Sequence, residues 1–109
     1  MTVQQLADAL SLTVFPSDDP DRAVTGGYCG DLLSWVMGRA AAGDAWLTIM
    51  SNVNVAAVAA LADVACVILT EGVVPDNALL NKAKQQGINL LGTELGAYEC
   101  AGKLSGLIG

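Results

Sequence analysis

Apolar and polar residues along this chain switch repeatedly between helical and strand periodicity. Val3, Leu6, Ala7 and Leu10 recur at helical spacing, and Thr2 with Gln5 three residues later forms a capping-box pattern. "TVQQLADAL" is therefore a predicted short helix. "LTVF" reads as a strand ended by Pro16, and "SDDPD" as a polar turn. "AVTGGYCG" predicts a strand broken by its glycines. Asp31 is then expected to cap "LLSWVMGRA", with Leu32, Leu33, Val36 and Met37 facing inward and Trp35 lying off that stripe.

From Gly43 onward the pattern repeats. "AWLTIM" is a strand. "SNVNVAAVAALADV" is a helix started by Asn52 or Asn54, and its small alanines allow close packing on a sheet. "ACVILT" is a continuous apolar run, as expected of a strand buried on both faces. Asp76 caps "NALLNKAKQQ", which Gly87 stops. "INLLGT" is a further strand. Thr93 is expected to cap a last helix that turns Leu95, Tyr98, Ala101 and Leu104 inward.

Strands alternating with helices imply right-handed crossovers and a parallel arrangement. The predicted fold is α/β: a small, mostly parallel sheet of four to five strands, layered between helices on both faces. In such sheets ligands sit beyond the carboxyl ends of the strands. Here those ends fall at residues 50–54, 70–72 and 92–94.

Composition sharpens this picture. Of 109 residues, 53% are hydrophobic and only 15% are charged, against about 25% charged in an ordinary soluble domain. A chain this short reads as one domain, and its surface has few charges to cover it. Some apolar surface is expected to meet a partner, most simply a second copy. The net charge of -6 and five scattered basic residues leave no basic footprint, which excludes nucleic acid and disfavours anionic membranes. No basic region precedes an apolar run at the start, so the chain reads as cytoplasmic without a signal peptide. Residues 53–69 form the longest apolar stretch, but Asn54 and Asp63 interrupt it. Cys29, Cys66 and Cys100 are irregularly spaced and read as free thiols. Without histidine, the usual zinc patterns and His-based triads are excluded. Trp35 is expected at an interface and Trp46 in the core.

Asp21, Arg22, Thr25, Gly26 and Gly27 match, in order though not contiguously, the motif that names the DRTGG domain. The likeness continues through "GGYCGDLLSWVMGRAAAGDAWLTI", "NVAAVAALADVACVIL" and "PDNALLNKAKQQGINLLGT". The chain thus resembles the DRTGG family over nearly its whole length. The resemblance implies a small α/β module spanning residues 1–109, similar in fold to the N-terminal domain of HPr kinase/phosphorylase. Such modules occur alone or fused to phosphotransacetylases and to pyrophosphatases that carry CBS domains. It further implies a regulatory or dimer-forming role, with catalysis elsewhere; no cofactor is expected. Relatives often carry a histidine shortly before the position of Asn54; this chain has none there.

Three functional readings follow. The first is a non-catalytic homodimer that associates with a metabolic or redox enzyme. The second is a sensor of an adenine nucleotide or other anionic metabolite. The third is a kinase-related protein, by family association alone; no G-x-x-x-x-G-K-[ST] loop is present. The candidate binding residues are Arg22, Thr25, Gly26 and Gly27 at the glycine turn, and Asn52, Asn54, Thr70, Glu71 and Thr93 at the strand ends. The turn glycines are expected to permit a bend, a bulge or close backbone approach. Asp21 and Arg22 are candidates for an ion pair. Arg22 is also the one basic group near the turn that an anion could meet.

Overall fold

A computed structural model describes residues 1–15 and 18–108. The expected strand stop at Pro16, and Ser17 in the polar turn, lie outside the described residues. The elements are α1 (Val3–Leu10), β1 (Thr13–Val14), β2 (Gly26–Cys29), α2 (Leu33–Arg39), β3 (Asp44–Thr48), α3 (Asn54–Ala62), β4 (Cys66–Leu69), α4 (Asn77–Gln86), β5 (Leu90–Gly92) and α5 (Ala97–Ile108). The strands form one sheet in the order β1-β5-β4-β3-β2. β2 to β5 are parallel, and β1 runs antiparallel on β5 with Thr13 opposite Gly92. The fold is thus α/β with a mostly parallel sheet, as the alternating pattern predicts.

Strand order fixes where the helices go. Each parallel connection moves one strand along in the same direction, so right-handed crossovers put α2, α3 and α4 on one face. α1 and α5 cover the other. Strand side chains alternate between two cores accordingly. Trp46, Val67, Leu69 and Leu90 pack with Val36, Val55 and Leu79 of the three-helix face. Leu47, Cys66, Ile68 and Leu91 pack with Leu6, Cys100 and Leu104 of the two-helix face. Being sandwiched explains why β3 and β4 are buried at every position, and why β4 is apolar throughout rather than at every second residue.

Local chemistry sets most boundaries where the sequence puts them. Thr2 and Gln5 form the reciprocal capping box of α1. The Asp76 carboxylate accepts from Leu79 N–H at 2.7 Å, and Gly87 ends α4 with φ 68. Asn52 Oδ1 accepts from Asn54 N–H at 2.9 Å at the start of α3.

Four expectations need correction. β2 is continuous through its glycines, which pair in register with Asp44 and Ala45. Bulk explains the glycines: a Cβ on Gly26 would stand 2.6 Å from Asp44 Oδ1, and one on Gly27 3.0 Å from Leu104. They permit close approach, not a bulge. Asp31 does not cap α2. Its carboxylate accepts from Thr48 Oγ1 at 2.7 Å and Ile49 N–H at 3.0 Å, fastening the β2–α2 corner to the end of β3. Thr93 does not cap α5 either; its hydroxyl accepts from Leu95 N–H, and the helix starts at Ala97. The inward stripes also differ. Val36 is the buried residue of α2, whereas Leu32 and Met37 are exposed. In α5, Cys100 and Leu104 point inward and Tyr98 is 95% exposed. Trp46 is fully buried, as expected, and Trp35 is exposed beneath the Arg39 guanidinium, 3.7 Å from its ring centre.

Candidate functional site

The nine candidate residues do not converge. The structure divides them among the amino edge of the sheet, the outer strand β2, and the carboxyl edge.

Arg22 lies at the amino edge. Its partner is Asp63 rather than Asp21: Nη1 donates to the Asp63 carboxylate at 3.1 Å and Nη2 to the Asp63 carbonyl at 2.9 Å. Asp63 is the left-handed residue that closes α3, with φ 57. The guanidinium therefore meets the electronegative end of that helix, where a cation is favoured. Beside it lies a small polar hollow of about 180 Å³ reaching Asn89. Asn89 was no sequence candidate, yet its buried amide donates to Asp19 and Ala65 carbonyls and its oxygen accepts from Asp19 N–H. A lone Asn after a glycine stop gives no signal of this in the sequence.

At the carboxyl edge stand Asn52, Asn54, Thr70, Glu71 and Thr93. The β4–α4 and β5–α5 loops lie side by side here: Glu71 N–H donates to Leu95 O at 2.8 Å and Gly72 N–H to Thr93 O at 2.9 Å. Glu71 adopts φ 61 and Gly72 φ 72, so the turn is left-handed over two residues. The Glu94 carboxylate occupies the space a Gly72 side chain would need, and the Glu71 carboxylate that of Gly96. Thr70 is fully buried, with a hydroxyl that has no hydrogen-bond partner among the described residues. No Lys or Arg belongs to these two loops, while Glu71, Asp76 and Glu94 do. This rim repels anions. The order of the parallel strands also never reverses, so the described sheet has no switch point of the kind at which such folds open a crevice.

Thr25, Gly26 and Gly27 belong to the third region. β2 is an edge strand. Between it and the C-terminal half of α5 opens a cleft of about 430 Å³, within the range of small-molecule sites. Gly26, Gly27 and Cys29 form one wall, and Ala101, Leu104 and Ile108 the other. The cleft is mainly apolar, and no charged side chain lines it among the described residues. Its shape follows from the bare glycines, which let Leu104 approach the strand backbone.

The three thiols belong to the same side of the sheet. Cys29 is exposed; Cys66 and Cys100 are buried, and all three are free. Burial pushes the Cys66 thiol up to about 12, with Cys100 adding to the effect. Burial, then Cys29, raises Cys100; burial, then the Asp31 carboxylate, raises Cys29. All three are held in the neutral, poorly nucleophilic form at neutral pH. Among the described residues no group of three or more His, Cys, Asp or Glu could hold a metal ion. No described helix is long and apolar enough to cross a membrane.

No family model matches the sequence, and no curated protein matches it. A solved structure does share its fold: the CBS and DRTGG domains of the regulatory region of Clostridium perfringens pyrophosphatase, complexed with the activator diadenosine tetraphosphate. The TM-score is 0.74 over 94% of this chain, at 15% identity, and the match spans 45% of that chain. The DRTGG-like α/β fold that the residues resemble is therefore the fold this chain adopts.

Proposed function

We propose that residues 1–109 form one DRTGG-like regulatory domain that works by association, as a homodimer in the cytoplasm that contacts a metabolic or redox enzyme. One observation carries this reading: the uncovered outer edge of β2 and its apolar cleft. Edge strands in monomers are usually blunted by Lys, Pro or a bulge. The β2 sequence Gly-Gly-Tyr-Cys has none of these. α2, the outermost helix on its face, adds exposed Trp35 and Met37, and Leu32 just before it is exposed too. Burying such area stabilises a complex by roughly 25 cal/mol per Å².

Sedimentation velocity across about 1–100 µM, the span of ordinary reversible affinities, tests the proposal. The expected result is a concentration-dependent shift from monomer to dimer. A monomer throughout contradicts it.

A second reading takes its support from the solved relative. That pyrophosphatase region binds a nucleotide activator, and this chain would likewise sense an adenine nucleotide. The cleft suits a ring better than a phosphate, since its walls are apolar and uncharged. A thermal-shift panel separates the readings: adenosine raises the melting temperature if the cleft is a nucleoside site, and no shift at millimolar adenosine or ATP leaves association alone.

A further inference from the structure

We infer that the partner at the β2 edge is a second copy, paired antiparallel about Tyr28 so that two five-stranded sheets become one. The inference rests on the proposed homodimer and adds its surface and register.

The argument begins with backbone direction. In a parallel ladder, alternate residues turn their N–H and C=O toward the neighbour. Gly30 N–H donates to Leu47 O at 3.1 Å, and the register sets Gly26 against Asp44 and Tyr28 against Trp46. Gly26, Tyr28 and Gly30 therefore face β3. Gly27 and Cys29 turn outward, and these are the two exposed residues of the strand. Each presents one donor and one acceptor to solvent.

A two-fold axis at Tyr28 sets Gly27 of one copy against Cys29 of the other, and the converse. All four outward groups of each strand are then satisfied, in four hydrogen bonds. Centring on Gly27 instead would require Thr25 N–H, but that group already donates to Gly43 O at 3.0 Å. Centring on Cys29 would push the pairing beyond the strand, into the corner held by Asp31. The Tyr28 register is the one that uses every free group inside β2.

The surroundings favour a copy over an unrelated strand. A stable dimer needs about 800 Å² from each partner, and four strand residues cannot supply that. The helices over this edge add to the strand's area. α5 runs above β2, with Ala101 and Ser105 bordering the cleft, and Gly102 beside them has open space where a side chain would stand. A two-fold axis brings the two α5 helices together on one face, and small residues allow close approach. Among the described residues no charged side chain occurs in β2 or lines the cleft, so the net charge of -6 is not concentrated there.

Two variants test the register. In a Cys29→Ser background, Tyr28→Cys places two thiols across the axis in a non-hydrogen-bonded pair, where the side chains are nearest. Oxidised glutathione should link most of the protein into dimers, while the Cys29→Ser parent stays unlinked. Cys29→Pro removes an outward N–H, which an edge strand tolerates. It should sediment as a monomer at a concentration where the unaltered chain is dimeric, with its circular dichroism unchanged. A dimeric chain whose Tyr28→Cys variant fails to cross-link, or whose folded Cys29→Pro variant still dimerises, overturns the inference and leaves the homodimer standing. A monomeric parent chain overturns both.

Discussion

Trp46→Ala is expected to lower the stability of the fold by about 3–5 kcal/mol, the range for removing a large buried aromatic. Trp46 is fully buried in the middle of β3, within the three-helix core. Its Nε1–H also donates to Gly30 O at 2.8 Å. The substitution leaves a cavity and strips that carbonyl of its partner. Domains of this size hold about 5–15 kcal/mol in total, so much of the population would unfold under mild denaturant. Trp46→Phe separates the two causes: it fills most of the volume and loses only the hydrogen bond, for about 1 kcal/mol. Urea unfolding followed by far-ultraviolet circular dichroism measures both. Losses below about 1 kcal/mol for the alanine variant would contradict the packing described. The effect extends to function, since Gly30 anchors the end of the strand proposed to meet a partner.

Alkaline pH is expected to expose the cost of the buried thiol. The Cys66 thiol is pushed from its ordinary 9.0 up to about 12, first by burial and then by Cys100. The protonated form is thus favoured in the fold. Below pH 9 both folded and unfolded chains keep the proton, and the stability is fully present. Between pH 9 and 12 the unfolded chain loses its proton and the folded chain does not. Stability then falls with rising pH, by about 1.4 kcal/mol per unit. Other groups titrate in that window, so the comparison is with Cys66→Ala. The variant should start less stable at pH 8 and lose about 2 kcal/mol less than the parent between pH 8 and pH 10.5. Parallel pH profiles would show that Cys66 is not held neutral by the core.

Much of the fold is legible because it is local. The capping box at Thr2 and the Asp76 and Gly87 stops work within a few residues of chain. The unbroken apolar run of β4 reports burial on both faces. What escapes is set by tertiary geometry. Asp31 has the look of a helix cap, but Thr48 and Ile49, brought beside it by the sheet, compete for its carboxylate and win. Tyr98 falls on a plausible stripe only if the helix starts at Thr93. The Thr93–Leu95 turn delays it to Ala97, and the core face is set by Cys100 and Leu104. The candidate residues can be read from the sequence, but their separation into three regions cannot. Arg22 stands beside the glycines in sequence, yet α3 claims it through Asp63. The cleft at β2 depends on α5 returning over the first parallel strand from the far end of the chain, which no local pattern announces.

Amide hydrogen exchange resolved along β2 tests association through this edge most directly. At concentrations where the chain sediments as a dimer, Gly27 and Cys29 amides should exchange slowly, and dilution should speed them while Tyr28 and Gly30 stay protected by β3. Gly27 and Cys29 amides that exchange at the free rate in the dimer would contradict the account.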